Sequence, residues 1–206
     1  MFKNSVVAFV LALCPLVSWG AAATNQLEQF IRDVTSATGE FSQIRLTSAG
    51  QAEGATQSGT FSFERPGKFK WNVLKPYEQL TLSDGKQLYQ YDPDLAQVIV
   101  RSVDESVGTS PAAILFGSGK LDESFGVMSR PDSDGLSWLR AEPRSPDAGF
   151  AHVDMGFRGN MPVRLLLLDS FGQTSRIDLK NIVTNPALAP DEFTFTPPDD
   201  VDVVNM

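Results

Sequence analysis

A chain of 206 residues, 42% hydrophobic and 20% charged, has room for one domain with a sizeable core. Its formal charge of −8 argues against nucleic acid and anionic lipid surfaces as partners, because both are bound largely through basic groups. One histidine and one cysteine are too few for a shared His/Cys metal site.

Residues 1–23 read as a cleaved secretory signal. Lys3 supplies the positive end, Val6 to Val17 an apolar run of about 12 residues, and Ala21-Ala22-Ala23 a small-residue cleavage site. That run falls short of the roughly 20 residues that span a bilayer, so no permanent anchor is expected. Leu11-Ala12-Leu13-Cys14 loosely resembles a lipid-attachment motif, but bulky Leu13 and the following Pro15 speak against it. Cleavage would leave roughly 183 residues (24–206) as a single domain without cysteine, and the loss of Lys3 leaves 16 basic and 25 acidic groups.

Leu27, Phe30, Ile31 and Val34 fall at i, i+3, i+4 and i+7, which predicts a helix with one apolar stripe. Asn25 with Glu28 forms a capping box for its start, and Gly39 is the expected stop. From Glu40 the texture changes to period two. Phe61 and Phe63, then Phe69, Trp71 and Val73, then Leu80 and Leu82 alternate with polar residues, and Arg65-Pro66-Gly67, Asp84-Gly85 and Asp92-Pro93-Asp94 punctuate them. A second short helix is expected over Ser110 to Phe116, apolar all round and therefore buried or closing over something apolar. Strands resume at about Phe125 to Ser129, Leu136 to Glu142, Ala151 to Arg158, Val163 to Asp169, Thr174 to Ile182 and Glu192 to Thr196. The sum is a mainly β domain of ten or eleven strands.

Val163-Arg164-Leu165-Leu166-Leu167-Leu168 is apolar on both faces, and Leu88-Tyr89-Gln90-Tyr91 also puts bulky groups on both. Two short helices cannot cover so much apolar sheet. The surplus either lines a cavity or packs on itself in a filled barrel, and periodicity does not separate these.

Catalytic chemistry is poorly provided for. His152 alternates with Ala151 and Val153 in a strand and reads as structural or exposed, and no Gly-x-Ser-x-Gly elbow, phosphate-cradling loop or dinucleotide fingerprint occurs. Carboxylate pairs such as Asp92 with Asp94 and Asp199 with Asp200 lie in turns and at the terminus. No enzyme, metal or cofactor is expected.

The stretch from Gly59 to Trp71, with Arg65-Pro66 followed by Phe69-Lys70-Trp71, resembles the LolA family of lipoprotein carriers. The similarity continues through Pro76, Glu78-Gln79, Ser83 to Lys86, Tyr91 to Val98, Ser110-Pro111-Ala112, Leu168 to Gln173 and Phe193 to Pro198, and is weakest over Gly117 to Ala151. It implies a curved, unclosed antiparallel β-barrel of about 11 strands, with helices as a lid over a hydrophobic cavity that takes acyl chains. The implied function is that of a periplasmic chaperone, with outer-membrane lipoproteins as cargo, an inner-membrane ABC-type exporter as donor and an outer-membrane receptor of the same fold as acceptor. A monomer is expected by analogy.

On the same resemblance Arg65 is the lid-locking arginine; its plainer reading is a turn arginine paired with an acid. Phe61, Phe63, Phe69, Trp71, Leu80 and Leu82 become candidates for the acyl-chain cavity or cargo transfer, ordinary core packing being the alternative for Phe69 and Trp71. Leu27, Phe30 and Ile31, with Ile114, Leu115 and Phe116, are candidates for the lid's inner face. Rival functions are a carrier for another amphiphile, such as a glycolipid, and a lipoprotein-sensing envelope regulator.

Overall fold

A computed structural model describes residues 22–103, 115, 124–145 and 148–206. The helix α1 (Ala22–Asp33) buries Leu27, Phe30 and the adjoining Val34, the stripe set by the 3.6-residue period. Its ends differ from expectation. Asn25 lies inside α1 rather than capping it, and the helix ends at Asp33, six residues before Gly39. That glycine belongs to the first strand, where a Cβ would sit 2.6 Å from the Phe61 ring. A bare backbone lets the aromatic ring lie flat on the sheet.

Among the described residues twelve strands follow: β1 (Ser36–Leu46), β2 (Ala52–Glu64), β3 (Lys68–Lys75), β4 (Gln79–Asp84), β5 (Gln87–Asp92), β6 (Gln97–Ser102), β7 (Phe125–Ser133), β8 (Leu136–Pro143), β9 (Phe150–Arg158), β10 (Met161–Asp169), β11 (Thr174–Thr184) and β12 (Asp202–Asn205). They form one sheet in the order β12-β6-β5-β4-β3-β2-β1-β11-β10-β9-β8-β7. Every pairing is antiparallel except β12 on β6. The edge strands β12 and β7 do not pair with each other, so the curved sheet stays open. The mainly β, unclosed barrel is therefore present, with one strand more than the upper count expected.

The expected strand Glu192–Thr196 is a turn followed by extended chain outside the ladder. Prolines at 190, 197 and 198 remove the N–H groups a strand there would need. The alternation of Phe193 with Phe195 instead reflects packing: Phe193 is buried, and the Phe195 ring lies 5.5 Å from Tyr89 and 5.6 Å from Tyr91.

Residues opposite each other on adjacent strands share a face, so the registers sort the side chains. Phe61 faces Trp71 and Phe63 faces Phe69; Phe41 faces Leu179; Ile177, Leu165, Met155 and Leu139 continue the row across β11, β10, β9 and β8. This inner face packs with α1 into one core cluster. The outer face carries a second row, Ser62, Lys70, Leu82, Tyr89 and Val100, and beside it Leu80, Tyr91 and Val98. Leu82, Val98, Val100 and Phe193 are buried yet stand outside the inner cluster. The sheet is thus greasy on both sides, which is why Leu165 and Leu167 look inward while Leu166 and Leu168 are half-buried on the back.

Candidate functional site

The inner face is an aromatic wall stoppered by α1. Phe41 stacks on Trp71 with centroids 3.8 Å apart, Phe61 lies 6.0 Å from the same indole, and Phe63 meets Phe30 of α1 edge-on at 6.3 Å. Phe61, Phe63 and Phe69 are 4%, 1% and 5% exposed; Trp71 is half-buried against them. From the helix Leu27 and Phe30 are buried and Ile31 is half-buried on the same core, and Leu115 joins them. Ile114 and Phe116, and with them most of the expected Ser110–Phe116 helix, lie outside the described residues, as do residues 1–21.

Two expected wall residues are not there. Leu80 and Leu82 sit on the outer face, in register with Asn72 and Lys70, beneath the C-terminal segment. Period two shows that they share a face; which face is fixed by their offset against β3. Conversely, Phe41, Met155, Leu165, Ile177 and Leu179 line the inner face without having been singled out. The alternation of Leu165 with Leu167 and of Ile177 with Leu179 was the available signal.

Among the described residues, one apolar gap on the inner face, between Phe30, Phe61, Phe63, Leu115, Met161, Pro162, Leu179 and Ile182, measures about 10 Å³, room for a single water at most. A roomier groove of about 350 Å³ opens among Glu40, Thr60, Ser62, Lys70, Asn72 and Glu192, with Gly39 and Phe61 also in its lining. There Glu192 accepts a hydrogen bond from Ser62 at 2.7 Å and faces Lys70 at 3.6 Å, so this groove joins the C-terminal segment to the sheet.

Arg65 sits where sheet, helix and residue 115 meet. Its backbone N–H donates to Thr35 O (2.8 Å), its Nε to Val34 O (3.1 Å) and its Nη2 to Leu115 O (2.6 Å). The guanidinium also lies over the rings of Phe30 and Phe63, at 5.4 and 5.0 Å. Burial lowers its pKa to about 10, so it remains a cation at neutral pH. A planar fork of donors reaching two segments at once is something lysine cannot supply. The adjacent acid Glu64 pairs with Lys68 at 2.7 Å.

The back of the sheet holds a second group of titratable side chains. Asp154 takes a forked pair of bonds from Arg140 (2.6 and 2.7 Å) and lies 3.9 Å from His152. Burial first, then the Arg140 charge, lowers the His152 pKa. Asp92 accepts from the Leu95 N–H and the Gln79 amide, a turn role. Among the described residues no cluster of three His, Cys, Asp or Glu is placed to hold a metal, and no helix is long and apolar enough to cross a membrane.

An open half-barrel whose apolar concave side is plugged by an amphipathic helix defines a class of proteins that sequester apolar groups. Comparison with known proteins narrows the class. The family model described as outer membrane lipoprotein carrier protein LolA matches residues 32–196. A protein of Bordetella avium named outer-membrane lipoprotein carrier protein is 58% identical over 197 residues, covering 96% of this chain and 94% of its own. One of the same name from Cupriavidus taiwanensis is 46% identical, covering 90% and 89%. Among solved structures, a conserved Thermus thermophilus protein superposes with a TM-score of 0.55 at 14% identity, over 89% of this chain and 97% of its own. A LolA superfamily protein from Nitrosomonas europaea gives 0.50 at 10% identity, over 85% and 97%; these two speak for the fold alone. The chain belongs to the LolA family of outer-membrane lipoprotein carriers.

Proposed function

We propose that the protein is a periplasmic carrier that accepts lipoproteins released from the inner membrane, shields their acyl chains against the inner face of the half-barrel and delivers them to an outer-membrane receptor. The observation that carries this reading is the stoppered wall: a continuous apolar surface, covered by a helix that Arg65 holds by its last turn. Residues 1–23 are the export signal in this reading, and residues 24–206 work as one monomeric domain with no catalytic role. The donor is an inner-membrane ABC-type exporter, and the acceptor is a receptor of the same fold.

Energetics make the arrangement workable. Each methylene removed from water gains about 0.8 kcal/mol, so one long acyl chain is worth on the order of 10 kcal/mol gross. In this reading the acyl chain takes the place of α1 on the part of the wall that Leu27 and Phe30 cover. Uncovering Leu27, Phe30, Ile31 and Val34 costs roughly 1.5–3 kcal/mol each, on the order of 6–12 kcal/mol together. The two terms are of one size, so the filled state is only modestly favoured and the cargo can be released.

Native mass spectrometry with lipid extraction, on protein purified from cells co-expressing a tagged lipoprotein, tests the reading. A one-to-one complex that vanishes when the cargo lacks acyl chains is the expected result. Bare protein, or protein holding only free lipid, would replace it with a carrier for another amphiphile.

A further inference from the structure

If α1 must leave the wall and return, something has to define its axis. Only Val34 and Thr35 separate α1 from β1, so the swing is confined to this joint. Arg65 grips the joint from the β2–β3 turn. From the other side it is gripped by Asn185, the residue that follows β11. Asn185 Oδ1 accepts from the Thr35 N–H (2.9 Å), the Thr35 hydroxyl (3.2 Å) and the Ser36 N–H (3.2 Å). Its Nδ2 donates to Asp33 O (3.0 Å), and its own N–H donates to Ser36 O (2.7 Å).

These bonds fall into two sets. The contacts with Thr35 and Ser36 lie on the frame side of the joint, where Ala37 already pairs with Thr184 in the ladder. The contact with Asp33 O lies on the helix side, next to the Val34 carbonyl that Arg65 holds. Asn185 adopts φ 51°, a left-handed conformation that asparagine tolerates better than most residues. The chain therefore turns there while its carboxamide points back into the joint.

We propose that Asn185 is the pivot pin of the lid helix: its side-chain oxygen fixes Thr35 and Ser36 to the frame as the axis, and its amide nitrogen latches the last turn of α1 in the closed position. This assignment rests on the reading of α1 as a lid and adds a positioning residue that acts through the joint, not on the cargo.

The test is the distance distribution between nitroxide labels on Glu28→Cys, on the exposed side of α1, and Lys180→Cys, exposed on β11, in a Cys14→Ala background. The unsubstituted joint should give one narrow distance without cargo. Asn185→Ala should broaden it. Asn185→Asp keeps the acceptor oxygen and loses the bond to Asp33 O; it should leave the closed distance narrow and add a second sharp distance, the open population rising roughly fivefold, the effect of one net hydrogen bond. A folded Asn185→Ala protein with the narrow distance unchanged would overturn the proposal, as would equal broadening in Asn185→Asp. Should Asn185→Ala fail to fold, Asn185→Gly, which accepts a positive φ freely, takes its place in the same comparison. The cargo-free distances decide on Asn185 by themselves, whereas failure to bind any acylated peptide would count against the carrier reading alone.

Discussion

Arg65 ties the sheet, the end of α1 and residue 115 together through one side chain. Its bonds to Val34 O and Leu115 O replace hydration of a half-buried cation, and the Phe30 and Phe63 rings cover its faces. Arg65→Leu should therefore still load acylated cargo but fail to hand it over, because the leucine adds grease to the wall and removes the groups that draw α1 back. A reconstituted transfer assay with separate loading and delivery steps checks this, and normal delivery would count against it. Gly39 sets a different constraint. Gly39→Ala places a methyl inside the Phe61 ring's contact distance and should cost about 1–3 kcal/mol, read as a lower urea midpoint at unchanged slope. His152 gives a pH signature. Burial holds its pKa below the ordinary histidine value, so the unfolded chain takes up a proton before the folded one does. Stability should fall as pH drops through the ordinary histidine range and level off below the folded-state pKa. In His152→Gln that part of the pH dependence should disappear from urea titrations at neutral and mildly acid pH.

At the scale of elements, legibility followed the physics of each signal. The stripe of α1 was readable because an i, i+3, i+4, i+7 pattern has one apolar side and hence one way to pack. The strands Phe61–Phe63 and Phe69–Trp71 were equally readable as alternating segments. For Leu80 and Leu82 alternation was right and the assigned face wrong: the offset between β3 and β4 decides it, and both faces of this sheet turn out to have cover. Phe193 and Phe195 imitated a strand because they press alternate groups against Tyr89, Tyr91 and their neighbours without any ladder. A direct check follows. Leu82→Ala should destabilise the fold by about 2–5 kcal/mol, as buried leucines do, while leaving the affinity for an acylated peptide unchanged in the folded fraction. Loss of acyl binding with little loss of stability would return Leu82 to the wall.

On the scale of the whole molecule the sequence left open whether the curved sheet is hollow or filled, and the structure shows why. Among the described residues the helix α1 covers part of the concave side and packs into the same core as the wall, so composition is the same whether α1 or another apolar group lies there. On the proposed function, cargo and α1 compete for one surface. Hydrogen exchange should accordingly rise across residues 22–34 on loading and stay low in β1, β2 and β11, whereas unchanged protection of α1 would mean that cargo binds elsewhere. The second apolar layer, where Leu82, Val98, Val100 and Phe193 are buried behind the sheet, gives this competition its mechanical setting. A single-cored sheet stripped of its helix would lose the burial that keeps it folded. This one is braced from the rear like a scenery flat, so that on the proposed function its front is cleared and re-dressed with a different hydrophobic tenant at every trip.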